Sequence, residues 1–196
     1  MFLTKLMLDA QCCYKRQLKD DYSVHSLVYS LFPTSETFAR DFLYADKGNA
    51  SSKRIILVLS RTEPNVPDDI SSQTIIVSDN FLNLGEYRFE VLLNPVTTDN
   101  KTKKRMPIIG QFPLMKWFIR QQVKWGFEAD EQKLEVFVKQ SRTITQKGKN
   151  CVFHSVIFKG IMKVTDQSLF LQSFEKGIGH GKAFGFGLLQ LSPIRQ

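Results

Sequence analysis

No apolar run in this sequence approaches the roughly 20 residues that a helix needs to cross a bilayer, so no membrane-spanning helix is expected. The opening Met1-Phe2-Leu3 leads into a strand-like pattern broken by Lys5 and Asp9 instead of the apolar core of a signal peptide, and a cytoplasmic location is the expectation. Cysteine is scarce. The three present, Cys12, Cys13 and Cys151, are too few and wrongly spaced for a zinc site, and an odd number argues against a secreted disulfide framework, so they are read as reduced bystanders. Histidine is equally sparse, which confines imidazole chemistry to His25, His154 and His180.

Positive charge is plentiful and unevenly placed. The formal net charge is +8; residues 1–80 hold 9 Lys and Arg against 10 Asp and Glu, whereas residues 81–196 hold 18 against 9. A near-neutral half joined to a basic one suits a polyanionic partner, a phosphate backbone first, with an acidic protein or anionic membrane as alternatives. The basic half carries three cationic elements. These are the loop Asp99-Asn100-Lys101-Thr102-Lys103-Lys104-Arg105, a helical stripe of Lys116, Arg120 and Lys124, and the stretch from Lys139 to Lys163, which has six cations and no acid. One such run is as often a solvated face; three in one half favour binding.

Glycine is concentrated at one place. Five of the 11 lie between Gly177 and Gly187, beside Lys182, Phe184 and Phe186. Without a Cβ, glycine lets a ligand approach the backbone, and such a loop with inward amides and a cation suits a polyanion. The loop follows a helical pattern and precedes a strand, the reverse of the order that seats a pyrophosphate on a helix N-terminus, so a mononucleotide pocket is not expected.

Along the chain, residues 2–10 read as a strand and Lys15, Arg16 and Lys19 as part of a polar loop. Val24, Leu27, Val28 and Leu31 recur with helical spacing up to Pro33, which places Tyr22, His25 and Tyr29 together on the opposite, solvent-reachable side. A further helical turn is expected near residues 34–40, strands at Asp41–Asp46, Arg54–Ser60 and Thr74–Val77, and no clear second helix. After a boundary near residues 80–84, the theme repeats as a strand from Tyr87 to Leu93, a helix of about 13 residues opened by Pro113, and two strands, Lys133–Ile144 and Cys151–Val164, around a cationic turn. Asp166 then caps a helix through Lys176, with Leu169, Phe170 and Phe174 inward, followed by the glycine loop and a last strand. The expected fold class is α+β, with two tandem ferredoxin-like βαββαβ domains, residues 1–82 (degenerate) and 83–196, each an antiparallel sheet with helices on one face.

Three segments carry a resemblance to a known family. They are the opening Met-Phe-Leu-Thr-Lys strand, the run Tyr22-Ser23-Val24-His25-Ser26-Leu27-Val28-Tyr29-Ser30-Leu31-Phe32-Pro33, and the C-terminal Gly177-Ile178-Gly179-His180-Gly181-Lys182-Ala183-Phe184-Gly185-Phe186-Gly187-Leu188-Leu189-Gln190-Leu191. In these and in its overall order the chain resembles the CRISPR repeat-processing endoribonucleases of the type I-E Cascade complex, the CasE family. It departs from the family pattern at His180 and Gly181, which stand where a proline and a small residue are expected; Lys182 stays in register.

The resemblance implies a metal-independent nuclease, with no cofactor, that binds the stem-loop of CRISPR repeat RNA and cuts at its 3′ base. The RNA's own 2′-OH attacks the adjacent phosphorus, leaving 2′,3′-cyclic phosphate and 5′-OH ends, and the product stays with the enzyme as a subunit of Cascade, docked on its other subunits, the backbone subunit first. It carries the family's histidine and tyrosine onto His25, as general acid/base, and Tyr22, which would orient the 2′-OH or phosphate. Imidazole suits proton transfer near neutrality. The RNA-binding residues expected with it are Arg142, Lys147 and Lys149 in the hairpin, Lys116 and Arg120 on the helix, Lys103, Lys104 and Arg105 in the loop, and Lys182. The competing expectations are a non-catalytic RNA-binding module and an assembly subunit of a ribonucleoprotein. His180 is the competitor for the acid role, while His154 reads as structural and Phe184 and Phe186 as core anchors.

Overall fold

In a computed structural model, which describes residues 1–33, 40–146 and 149–194, the first half opens with β1 (Phe2–Leu8). Helix α1 (Ala10–Lys15) follows where the sequence reads as a polar loop. Asp9 accepts the Cys12 amide and caps it, and Cys12 alone turns inward, so six residues form a helix too short to show a periodic face. Helix α2 (Asp21–Ser30) starts on a reciprocal cap between Asp20 and Ser23 and buries Val24, Leu27 and Val28. Then come β2 (Phe42–Ala50), β3 (Lys53–Ser60), β4 (Ser71–Ile76) and the short α3 (Asp79–Leu82). The helical turn expected near 34–40 falls on residues 34–39, outside the described residues.

These strands form one antiparallel sheet in the order β2-β3-β1-β4, the ferredoxin-like order, and no helix occupies residues 61–70 between β3 and β4. The sheet is covered on both faces. Leu6, Leu8, Phe42, Tyr44, Ile56 and Val58 pack on α2, whereas Leu43, Ala45 and Leu59 join the core of the second half. Burial on both sides explains why Ile55-Ile56-Leu57-Val58-Leu59 is apolar without alternation.

The second half repeats the strand order. Its elements are β5 (Glu86–Leu93), the hairpin β6 (Val96–Thr98) and β7 (Arg105–Pro107), α4 (Gln111–Gln122), β8 (Phe127–Ala129), β9 (Glu135–Val138), the hairpin β10 (Arg142–Gln146) and β11 (Lys149–Phe153), β12 (Val156–Val164), α5 (Gln167–Lys176) and β13 (Gln190–Pro193). β13, β5 and β12 lie side by side, and both β8 and β9 pair with β12, all antiparallel. On one face α4 and α5 close an aromatic core: Phe118 stacks between Phe89 and Phe158, and Phe170 stacks on Tyr87. The fold is thus a tandem of ferredoxin-like units, the first lacking its second helix. No helix among the described residues is long and apolar enough to cross a membrane.

Two expectations are corrected here. The two long strands Lys133–Ile144 and Cys151–Val164 are broken. Val138 faces Val156 and Arg142 faces Phe153, so three residues, 139–141, oppose two, 154 and 155. That one extra residue is a bulge, which bends the cationic hairpin out of the sheet. Leu169, expected inward, is exposed, since α5 turns Phe170 and Phe174 to the core. Asp166 caps α5 by accepting the Leu169 amide; Asp166→Ala should cost about 1 kcal/mol in a denaturant titration, the usual worth of an N-cap.

Candidate active site

Helical spacing brings Tyr22, His25 and Tyr29 to one side of α2. The His25 ring centroid lies 5.8 Å from that of Tyr22 and 4.1 Å from that of Tyr29. Tyr22 is 46 % exposed and His25 half-buried, so the pair faces outward from a helix anchored by its apolar side. The solvent-reachable histidine expected from the spacing is present, but one of its nitrogens is taken.

The glycine loop takes it. His25 Nδ1 lies 2.8 Å from the Ala183 carbonyl oxygen, and Phe184 packs against the imidazole at 5.1 Å between centroids. A carbonyl can only accept, so Nδ1 carries the proton and Nε2 is left for another partner. The loop reaches this position through two left-handed glycines. Gly181 (φ 86°) and Gly185 (φ 81°) bracket the 3-10 turn Lys182–Phe184, and a Cβ on Gly185 would stand 2.9 Å from the buried Tyr44 ring. Phe186 is fully buried as a core anchor, while Phe184 instead walls the imidazole.

The cationic hairpin arrives at the same place. Arg142, first residue of β10, puts Nη1 3.2 Å from Asp21 Oδ1, one residue before Tyr22, and its guanidinium lies 5.4 Å from the Phe186 centroid. Burial lowers the Lys182 pKa, with the neighbouring charges of Arg40 and Lys176 adding to the effect. Partial desolvation lowers His180 as well, helped by the Arg105 and Lys182 charges, although that side chain is exposed to solvent. Arg40, Arg105, Lys176 and Lys182 thus crowd the loop with one sign of charge.

The cleft between the two sheets is different. Glu90 receives both Lys47 from the first half and Lys159 at 2.8 Å, and Asp46 pairs with Arg54 at 2.6 Å. Burial raises the Glu90 pKa but the two ammonium groups outweigh it, holding the carboxyl below its usual range. There cations are matched by acids.

The remaining expected binding residues divide. Lys103 and Lys104 sit in the turn of the β6–β7 hairpin and Arg105 begins β7, all exposed. Lys116 and Arg120 are exposed on α4, Lys116 over the Phe112 ring at 4.3 Å, and no hydrogen bond or ion pair among the described residues joins them to α2 or the glycine loop. Lys147 lies outside the described residues, and Lys149 is described by its backbone alone. His154 donates its backbone amide to Asn94 Oδ1, at 2.9 Å, beside the bulge. Two participants had no signal in the sequence: the Ala183 carbonyl, a backbone group any residue could supply, and Asp21, one of a pair of acids at a helix start. Among the described residues no group of three or more His, Cys, Asp or Glu side chains is placed to hold a metal ion.

Comparison with known proteins agrees with this geometry in extent. The chain is 25 % identical over 210 residues to the CRISPR system Cascade subunit CasE of Escherichia coli, covering 99 % of this chain and 100 % of that one. It is 26 % identical over 211 residues to the CRISPR-associated endoribonuclease Cse3 of Thermus thermophilus, covering 98 % and 100 %. A solved structure of CRISPR endoribonuclease Cse3 bound to a 19-nucleotide RNA shares the fold at a TM-score of 0.85, with 24 % identity over 98 % of this chain and 100 % of that one. The family model for CRISPR-associated proteins matches residues 1–193, spanning both sheets, the His25 helix and the glycine loop. Matched from its first strand to its last, the chain belongs to the family of CRISPR-associated proteins.

Proposed function

We propose that this protein is a metal-independent endoribonuclease that binds the stem-loop of CRISPR repeat RNA and cuts at its 3′ base. The observation that carries the reading is the bond from His25 Nδ1 to the Ala183 carbonyl, because it leaves Nε2 as the nitrogen that can exchange a proton with substrate. Cleavage forms a bond from the 2′-oxygen to phosphorus and breaks the bond from phosphorus to the 5′-oxygen. A proton leaves the 2′-OH and another reaches the 5′-oxygen, giving 2′,3′-cyclic phosphate and 5′-OH ends. His25 is the proton-transfer group, and Tyr22, stacked beside it, orients the 2′-OH or the phosphate. The nucleophile belongs to the RNA, so the protein need supply only proton transfer, placement and charge.

Residues 1–82 form the domain that carries the catalytic helix and residues 83–196 the RNA-binding domain. In the latter, Arg142, Lys182 and Arg105 hold backbone near the cut, and Lys103, Lys104, Lys116, Arg120, Lys147 and Lys149 extend the contact along the stem. Duplex RNA is read through phosphates, 2′-OH groups and shape, which suits a bent cationic hairpin. Among the described residues the cations around the loop have no ion-pair partner, against the matched charge of the inter-sheet cleft, and this supports an RNA path over the loop. Among the described residues no hydrogen bond or ring contact joins His180 to Tyr22 or His25, which favours His25 as the proton-transfer group. The protein works in the cytoplasm and keeps its product as a subunit of Cascade, docked on the other subunits, the backbone subunit among them.

The test is cleavage of the cognate repeat RNA in EDTA with analysis of the ends. Cutting with 2′,3′-cyclic phosphate and 5′-OH termini is expected. Binding without cutting would leave a non-catalytic RNA-binding module; cutting that requires added metal, or that leaves 5′-phosphates, would overturn the mechanism. Affinity for the hairpin should also fall steeply with salt, by roughly 10³-fold or more between about 50 and 200 mM if six or more phosphates are contacted. A flat salt response would favour an assembly subunit that binds an acidic protein.

A further inference from the structure

Asp21 has no capping duty. Asp20 and Ser23 already close the N-terminus of α2, and the Asp21 carboxylate instead meets Arg142 across the gap between the catalytic helix and the cationic hairpin. Both side chains are partly open, 28 % and 23 % exposed. Their closest nitrogen–oxygen approach is 3.2 Å, longer than the roughly 2.7–2.9 Å of a well-formed charge-assisted bond, so the guanidinium is held loosely. Phe186 lies beneath the guanidinium, its ring centroid 5.4 Å away, while Tyr22, adjacent to Asp21, stacks beside His25. A carboxylate therefore stands against the guanidinium, one residue from the tyrosine beside the proton-transfer group.

We infer that Asp21 is a phosphate stand-in: it holds Arg142 in the RNA-free protein, and RNA binds by exchanging a backbone phosphate for this carboxylate on the same guanidinium. A phosphodiester offers two oxygens that can close on the fork more tightly than the 3.2 Å approach of Asp21, so the exchange runs toward RNA. Its cost falls on every RNA, but only a ligand whose phosphate reaches Arg142 recovers it. Asp21 thus penalises RNA that binds elsewhere on the basic half, a form of specificity by an unfavourable element. The inference takes its ligand from the endoribonuclease reading and adds a contact which that reading does not require.

The experiment is a double-mutant cycle on affinity. The cognate repeat hairpin is made non-cleavable by a 2′-deoxy group at the cut nucleotide, and its Kd is measured by fluorescence anisotropy at fixed salt for the unaltered protein, Asp21→Asn, Arg142→Gln and the double variant. Asp21→Asn should tighten binding about 2- to 5-fold, the range expected for a partly exposed ion pair. In the Arg142→Gln background most of that gain should vanish. A gain of equal size in both backgrounds is bulk electrostatics and overturns the inference; so does unchanged or weaker binding by Asp21→Asn, which would make Asp21 a positioning group for Arg142. If the unaltered protein does not bind the hairpin, the endoribonuclease reading itself falls and takes the inference with it; the single variants separate the two failures.

Discussion

His25→Ala is expected to slow cleavage of the repeat hairpin by about 10²- to 10⁴-fold, the usual contribution of a placed acid or base, while Kd changes less than about threefold. The split follows from geometry. The imidazole rests on a loop carbonyl and two aromatic rings, and its free Nε2 is a single contact among many that hold RNA. His180→Ala should leave the rate near that of the unaltered protein, because no hydrogen bond or ring contact among the described residues joins His180 to Tyr22 or His25. Single-turnover rates with excess enzyme measure both. A His25→Ala variant that cuts at full rate, with His180→Ala inactive, would move the chemistry onto the glycine loop.

A large stability effect of a small substitution is expected at Gly187. Its amide donates to the Leu92 carbonyl, at 2.8 Å, and its carbonyl accepts the Ile178 amide, at 3.0 Å, so one residue joins the two ends of the loop and ties them to β5. The backbone is left-handed (φ 81°), and a Cβ there would lie 2.3 Å from the Ile178 carbonyl oxygen. Left-handed geometry costs a non-glycine residue about 1–2 kcal/mol, and forcing backbone aside adds about 1–3 kcal/mol. Gly187→Ala should therefore lose about 3 kcal/mol, a fall in Tm of roughly 6–12 °C for a chain of this size. Gly48 is the control: it is also left-handed (φ 71°), but a Cβ meets nothing within 4 Å, and its alanine variant should lose only the conformational part. Equal losses at the two sites would show that the loop does not depend on this close approach. Because Ala183 shares the loop, Gly187→Ala should slow cleavage as well.

Local patterns carried much of this architecture. The 3.6-residue period of Val24, Leu27 and Val28 placed Tyr22, His25 and Tyr29 on one side of a helix, and ring packing there follows directly. The alternation of β5 and the Asp166 cap of α5 were legible for the same reason, since each depends on neighbours in the chain. What escaped depends on partners distant in sequence. The bulge at residues 139–141 exists because the β9–β12 and β10–β11 ladders run at registers one residue apart, which no local pattern encodes. Helix α1 escaped because six residues show too little period. The loop was legible as a place of close approach, and Lys182 as its cation. Its bond to an imidazole 158 residues away is made by a backbone carbonyl, which has no signature in composition.

The central claim is that the RNA's own 2′-OH is the nucleophile and His25 Nε2 its proton partner. The measurement that bears on it most directly is the cleavage rate of a repeat hairpin carrying one 2′-deoxy nucleotide at the cut site, with Kd determined on the same RNA. No detectable cutting is expected, with an affinity within about tenfold of the all-ribose hairpin, since one lost hydroxyl removes about 0.5–1.5 kcal/mol of hydrogen bonding at most sites. Cutting of the deoxy-substituted hairpin at the same position would contradict the claim.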